Sequence, residues 1–328
     1  MFISLLEGNE FKLIIIKEFC VIYLFDSVGG LVGAVCTSPL DVVKTRLQST
    51  FYQQGIEKGI KHDITKSIWS HFVETSKLLV QIKQIEGIQG YFKGLGPNLV
   101  GVIPARAINF YTYGNGKRLF TELNQGKETP IVHLTSAATA GVVTATVTNP
   151  IWVVKTRLQL QGKQKIYLNS FHCTMQILKQ EGIKGLYKGM SASYLGVAEG
   201  TIQWVVYEHL KRRWAHSPST LLSDDHTLTI GGKSVKAWFG NLSAAAMAKL
   251  IAACVAYPHE VIRTRLREPI PKNGTPKYTG LLQCLKLVVK EEGFIALYGG
   301  MSAHLMRVVP NAAIMFFCYE AIMHNFGQ

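Results

Sequence analysis

The chain has 328 residues, of which 48% are hydrophobic and only 17% charged, and its mean hydropathy is +0.15. A soluble domain carries about 25% charged residues, so this composition leans toward the membrane and away from an ordinary soluble enzyme. The 35 basic against 21 acidic side chains, a formal charge of +14, call for an anionic partner: nucleic acid, lipid headgroups or a small phosphorylated solute.

The first stretch, residues 1–20, mixes Glu7, Glu10 and Lys12 into its apolar run and matches neither a signal peptide nor an Arg- and Ser-rich transit peptide. It reads as an N-terminal extension of unassigned status. From there on, six segments are long enough to cross a bilayer, which takes about 20 helical residues. They run from Val21 to Val43, Leu95 to Leu119, Ile131 to Val154, Ser191 to Leu210, Val235 to Ile262 and Met301 to Ile322. Asp26, Arg106, Glu199, Lys249 and Arg307 fall inside them. Charges at that depth belong against a protein interior or a water-filled cavity rather than lipid. Small residues crowd the odd segments, as in GGLVGAV from Gly29 and SAAAMAK from Ser243, and predict close approach of helix backbones.

A repeat organises these segments. Pro39, Pro150 and Pro258 stand 111 and then 108 residues apart, in SPLDVVKTRLQ, NPIWVVKTRLQ and YPHEVIRTRLR. Each is followed by a polar connector, an amphipathic stretch and a Glu-Gly segment: EGIQGYFKG from Glu86, EGIKGLYKG from Glu181 and EGFIALYGG from Glu292. Glycine there suits a helix terminus, where free backbone N–H groups can hold an anion such as a lipid phosphate. Proline removes a helix donor, and the acid and base that follow it lie three residues apart, nearly on one face. Three such ends meeting on an axis can close a gate with ion pairs.

The six cysteines are scattered without a CxxC pair and read as packing residues. No phosphate loop, dinucleotide fingerprint or HExxH occurs, and His259 beside Glu260 lacks a second ligand at metal spacing, so catalysis is not expected. Basic residues gather at helix ends and connectors rather than in one aromatic-interleaved patch, which argues against nucleic acid.

With two copies of Pro-x-[Asp/Glu]-x-x-[Lys/Arg]-x-Arg, a third that carries Trp152 in the acid's place, and the three Glu-Gly segments, the chain resembles the mitochondrial carrier family over about Val21 to Ile322. The resemblance implies an all-α membrane protein. Six transmembrane helices in three tandem repeats (21–122, 131–214 and 235–325) would form a pseudo-threefold barrel with short matrix helices, in the inner mitochondrial membrane. It further implies alternating access, function as a monomer, no cofactor, and bound lipid such as cardiolipin.

The family pattern expects an acid at each third position of the matrix gate, and this chain has Asp41, Trp152 and Glu260 opposite Lys44, Lys155 and Arg263. By the family's pairing Asp41 meets Lys155, Glu260 meets Lys44, and Arg263 faces the Trp152 indole, a contact of about 1 kcal/mol. Gln48 and Gln159 are implied as braces of the ion pairs, with Arg267 in the third place. The cytoplasmic gate falls on Tyr113 and Lys117, on Tyr207, Glu208 and Lys211, and on Tyr319 and Glu320.

Between the gates the resemblance places three contact regions: Gly101, Ala105 and Asn109; Leu195, Gly196, Glu199 and Gln203; and Arg307 with Asn311. Lys249 can be placed independently, because it precedes Glu260 by eleven residues, three turns at 3.6 per turn, and so shares the gate-facing stripe. Lys249 and Arg307 would hold phosphate, and Asn109, Gln203 and Asn311 would read a heterocycle. Glu199 serves equally as an acceptor for a base amino group or as the counter-charge of Lys249, and Arg106 reads as a structural ion-pair partner. The PIW, YPHEVIRTRLRE and AAAMAK pieces are most similar to the pyrimidine nucleotide carriers of the family; carriers of NAD, flavin and folate share the PIW piece, so a carrier for one of those is an alternative. A scaffold that merely resembles a carrier is the remaining alternative, against which the gate charges and cavity cations stand.

Overall fold

The computed structural model describes residues 29–50, 68–162, 166–215, 229–230, 233–270, 276–308, 310–311 and 314. Helices α1 (29–36) and α2 (Ser38–Gln48) are the first odd segment, and α3 (Ile68–Glu86) is the amphipathic helix after it. The second repeat follows α4 (Leu95–Leu123) with α5 (Pro130–Leu160), α6 (Ser170–Leu186) and α7 (Met190–Ala215). In the third, α8 (Val235–Leu266) and α9 (Leu281–Glu292) lead to α10 (301–308). The only β structure among the described residues is a ribbon pairing Thr229 with Ser234 and Ile230 with Lys233.

Helix α4 packs along α5, α5 along α7, and α7 along α8, while α2 touches both α5 and α8, which closes the ring. The molecule is an all-α barrel of three repeats with α3, α6 and α9 laid across one end. Each short helix seals a small apolar core of its own. Val42, Val43, Leu78 and Ile82 form the first, Val153, Leu158, Cys173 and Ile177 the second, and Ile262, Leu266, Cys284 and Val288 the third. Burial pushes the Cys173 and Cys284 thiols up to about 12, so both are inert packing groups.

Proline acts differently in the three repeats. At Pro39 the chain leaves the helix at Thr37 (φ −93°, ψ 3°) and restarts as α2, whereas α5 and α8 run on through Pro150 and Pro258. In every repeat the residue before the proline is tied to the turn after the short helix. Ser38 donates to the Tyr91 carbonyl (2.8 Å), Asn149 to that of Leu186 (2.9 Å) and Tyr257 to that of Gly299 (3.0 Å).

Neighbouring repeats meet at three glycines with positive φ, Gly94, Gly189 and Gly300. A Cβ at these positions would come within 2.9 Å of the Lys155 carbonyl, 3.1 Å of the Arg263 carbonyl and 2.9 Å of the Lys44 carbonyl. Each even helix thus starts against the backbone of a gate base, and only glycine permits both the conformation and the approach.

Polarity runs inside out relative to a soluble protein. Val100, Tyr111, Val147 and Val255 on the barrel wall are exposed, while Asp41, Lys44 and Gln159 are buried within it. An apolar outer wall of this extent fits a lipid environment. Among the described residues one helix, Pro130–Leu160, meets the length and hydropathy of a membrane span by itself. Residues 1–20 and the outer ends of the first and sixth expected spans lie outside the described residues.

Candidate functional site

The C-terminal ends of the odd helices converge on the axis, and their side chains close that end of the barrel. Lys155 Nζ lies 2.7 Å from Asp41 Oδ2 and Lys44 Nζ 2.5 Å from Glu260 Oε2, each pair joining two repeats. Gln159 donates to Asp41 Oδ2 (3.1 Å) and accepts from Thr45 (2.8 Å). Gln48 repeats the arrangement one repeat round, donating to Glu260 (3.5 Å) and to Tyr257 Oη (3.1 Å) and accepting from Thr264 (2.8 Å). The structure therefore puts both glutamines against the ion pairs they were expected to brace. In the third place, Arg267 donates instead to Asn149 (2.7 Å) and Ser193 (3.1 Å).

The tryptophan position differs from expectation. The cation over the Trp152 ring is Lys155, 5.4 Å from its centroid, and the indole Nε1 donates to Thr148 Oγ1 (2.8 Å). Arg263 turns back to Glu260 of its own helix at 3.6 Å. With one acid fewer than the full set, Arg263 takes the carboxylate one turn away, while Lys155, three residues after Trp152, covers the ring on its way to Asp41.

A second ring lies outside the first. Arg46 grips Glu86 bidentately (2.7 and 2.8 Å), Arg157 grips Glu181 (2.5 and 2.9 Å) and Arg265 grips Glu292 (both 2.5 Å). Each arginine Nε also donates to the backbone carbonyl at the next brace position: Arg46 to Gln159 (3.0 Å), Arg157 to Arg267 (3.2 Å) and Arg265 to Gln48 (3.2 Å). This cyclic ring escaped the reading of the sequence, although the signal was present. An arginine stands two residues after every gate base and a glutamate opens every Glu-Gly segment.

Above the closed end lies a cavity of about 320 Å³ lined by Asp41, Asn98, Ala105, Arg106, Trp152, Arg307 and Asn311, among others. Arg307, expected to be held ready for phosphate, donates to Asp41 Oδ1 at 2.7 Å. Asp41 thereby bridges two cations, since its other oxygen serves Lys155. Lys249 is also occupied, 2.8 Å from Glu199; of the two readings left open for Glu199, the geometry displays the counter-charge. The contact regions are only partly gathered around this cavity. Gly101 packs against Trp152 (a Cβ would lie 3.4 Å from Cη2), and Gly196 lies against His259, whose Nε2 would be 2.8 Å from a Cβ there. Asn109 and Leu195 are exposed and Gln203 half-buried.

Two partners of the gate lysines were missed altogether, one of them lining the cavity. Asn98 accepts from Lys155 at 3.1 Å; it precedes Ala105 by seven residues and so shares its face. His304 accepts at Nδ1 from Lys44 at 2.8 Å, and its place three residues before Arg307 puts it on the same stripe. The glycines of GGLVGAV also serve a purpose other than helix–helix approach. A Cβ at Gly30 would meet Arg106 Nη2 at 2.9 Å and one at Gly33 would meet Asn311 Oδ1 at 2.5 Å, so both make room for cavity side chains.

The opposite end is held differently. Lys117 reaches Glu128 of the α4–α5 loop (2.9 Å) and Tyr113 shares a hydrogen with His133 Nδ1 (2.9 Å), both contacts local to the junction of two repeats. Tyr207 and Glu208 are half-buried on α7. Tyr319, Glu320 and the Lys211 side chain lie outside what the structure describes.

A helical barrel built from three repeats, with a polar cavity closed at one end by ion pairs between repeats, defines a gated membrane carrier. Known proteins make that class specific. The mitochondrial carrier protein family matches residues 19–124, 126–218 and 234–328. Over 312 residues the chain is 51% identical to the mitochondrial carrier protein rim2 of Schizosaccharomyces pombe, covering 93% of this chain and 89% of that one. It is 45% identical to the mitochondrial pyrimidine nucleotide transporter RIM2 of Saccharomyces cerevisiae (92% and 84% covered) and 42% identical to solute carrier family 25 member 36 of Gallus gallus (93% and 97% covered). The chain belongs to the mitochondrial carrier family.

Proposed function

We propose that this protein is an antiporter of the inner mitochondrial membrane that exchanges pyrimidine nucleotides between cytosol and matrix by alternating access. One observation carries the reading: the cavity is rich in cations and amides and ends on ion pairs drawn from different repeats. Asp41 and Glu260 together face Lys44, Lys155, Arg263 and Arg307. An excess of positive charge in a low-dielectric cavity favours a multiply charged anion. Asn98 and Asn311 supply the donors and acceptors that a pyrimidine edge requires. The similarity to a protein named as a pyrimidine nucleotide transporter, at 45% identity along nearly the whole chain, supports the same substrate class.

In this reading the closed end faces the matrix and a nucleotide enters from the cytosolic side. Opening requires Lys155 to leave Asp41 and Lys44 to leave Glu260, and the substrate's contacts with the cavity compensate for that loss. The reading is transport without a catalytic group. The barrel would enclose a complete path in one chain, so the functional unit is a monomer, and lipid phosphate such as that of cardiolipin would bind at the helix termini beside the Glu-Gly segments.

The test is uptake of labelled UTP by liposomes that contain the purified protein and are preloaded with CTP, UMP, ATP, NAD or buffer alone. Uptake driven by internal pyrimidine nucleotides and absent from buffer-loaded vesicles is the expected result. Exchange supported only by NAD or flavin would leave the carrier and remove the substrate; no exchange with any anion would favour a scaffold.

A further inference from the structure

We propose that a second, smaller cavity, between the end of α8 and the start of α9, binds a single pyrimidine ring through the carboxyl of Glu268. The inference rests on the pyrimidine nucleotide reading above and adds a separate station for the same substrate, on the other side of the closed gate.

The first repeat lines the central cavity with residues from Gly30 to Asp41, which lead up to its gate base Lys44. The second cavity, of about 160 Å³, is lined by residues that follow the gate: Thr50 from the first repeat, Lys188 from the second, and Arg265, Leu266, Glu268 and Ile270 among those of the third. All three repeats thus contribute to it at the end that carries the short helices. In the reading above, that end faces the matrix.

Size and chemistry set the ligand. An apolar cavity of about 150 Å³ admits one benzene-sized ring, so this volume suits a six-membered ring and is short of a purine's fused pair. Its wall is apolar at Leu266, Pro269, Ile270 and Pro276. The basic side chains beside it are already matched: Lys188 lies 2.7 Å from Glu181, Lys277 2.6 Å from Glu291 and Arg265 2.5 Å from Glu292, which argues against a phosphate site. Glu268 differs from them. The Thr50 N–H donates to its Oε1 at 2.7 Å and fixes it at the wall, and no basic side chain of the described residues lies in ion-pair range of it. Burial pushes this carboxyl up to about 7, so near neutral pH much of it is protonated and presents an O–H donor beside a carbonyl acceptor. That adjacent pair complements the carbonyl and N–H on the edge of uracil, and equally the ring nitrogen and amino group on the edge of cytosine. An amine could bond the same carboxyl, but the positive charge of Lys188, Arg265 and Lys277 around the cavity disfavours a cation. A mostly apolar pocket with one placed polar group is the usual form of a small-molecule site. Here it would hold pyrimidines, in preference to purines, at the mouth through which a nucleotide meets the gate from the short-helix side.

Uridine and cytidine carry the ring without phosphate and therefore probe this cavity rather than the cation-rich one. Ligand-observed NMR on the full chain in detergent, with adenosine as the purine control, compares wild type with Glu268→Gln, Glu268→Leu and Ile270→Trp. Wild type and Glu268→Gln, whose amide keeps a donor beside an acceptor, should bind uridine and cytidine and not adenosine. Glu268→Leu should weaken binding at least tenfold, and Ile270→Trp, which fills the cavity, should abolish it. In proteoliposomes of one orientation, Glu268→Leu and Ile270→Trp should raise half-saturation for UMP supplied at the short-helix face severalfold and leave that at the opposite face within twofold. Wild type that binds no uridine, adenosine bound as tightly as uridine, or Ile270→Trp that binds uridine like wild type overturns the site, and so does an equal rise in half-saturation at both faces. If wild type exchanges some other anion and no pyrimidine nucleotide, the function proposed above fails, while the uridine comparison still decides this cavity because it requires no transport.

Discussion

Two rings of charge encircle the closed end of this barrel, and they obey different rules. The outer ring is complete: three arginines, three glutamates and three carbonyls of the next repeat, with Arg46, Arg157 and Arg265 at most 1% exposed. The inner ring is broken, with tryptophan in place of its second acid and Arg307 recruited from an even helix. The ring that fastens each short helix to its own odd helix keeps the threefold pattern, and the ring that must open does not. A complete set of buried pairs favours permanence; a set short of one acid lowers the barrier to separation.

Removing a member of each ring should expose that difference most strongly. Arg157→Ala leaves Glu181 with Lys188 alone (2.7 Å) and should cost about 3 kcal/mol or more, because it deletes two charge-assisted hydrogen bonds to Glu181 and one to the Arg267 carbonyl. Arg263→Ala removes a side chain that is 32% exposed and only 3.6 Å from its own helix's Glu260, and should cost less than about 1 kcal/mol. Melting curves of the two variants in one detergent measure the gap, and equal losses would erase the distinction between the rings.

Completing the inner ring is the converse manipulation. Trp152→Glu supplies the absent acid within reach of Lys155, which now covers the indole. Closed-end stability should rise by about 1 kcal/mol and the maximal exchange rate should fall about fivefold, because each 1.4 kcal/mol is a factor of ten. Faster exchange in this variant would show that tryptophan slows the gate.

The braces act on the ion pairs themselves. Gln48→Ala and Gln159→Ala each delete hydrogen bonds to a gate acid and a neighbouring threonine, and each should lower stability by about 1 to 2 kcal/mol. They cap different pairs, Glu260 and Asp41, so their effects should add to within about 0.5 kcal/mol in a double mutant. Strong non-additivity would mean that the two ion pairs open as one.

What could be read from the sequence follows the same division. The period and the six spans were legible because they recur with the repeat, and recurrence makes weak local signals mutually reinforcing; the pairs Asp41–Lys155 and Lys44–Glu260 followed from the resemblance to the carrier family. The outer ring recurs equally, yet its partners stand 24 to 40 residues apart, with no helical spacing to join them. Departures from the repeat were the illegible part. Arg307 meets Asp41 across 266 residues because the acid that a symmetric gate would possess is absent. The seats of Arg106 and Asn311 on Gly30 and Gly33 were hidden because a small residue fits close backbones and bulky side chains equally well.

The smallest effect lies at the edge of the outer ring, where the third repeat again departs from the others. Glu268 occupies the place of Ser49 and Leu160. Burial pushes its carboxyl up to about 7, although the Thr50 N–H donates to it at 2.7 Å and Arg265 lies near. An unfolded glutamate titrates near 4.3, so between about pH 4.3 and 7 the folded chain holds a proton that the unfolded chain has released. Stability from this group is full below that window and declines as pH rises through it, then levels off. Glutamine keeps the acceptor for Thr50 and carries no charge, so Glu268→Gln should match wild type near pH 4.5 and become progressively more stable than it up to about pH 7. The difference between the two melting curves across pH isolates this group from every other carboxylate. Curves that run parallel from pH 4.5 to 8 would mean that Glu268 stays ionised beside Arg265 and belongs, electrostatically, to the complete ring.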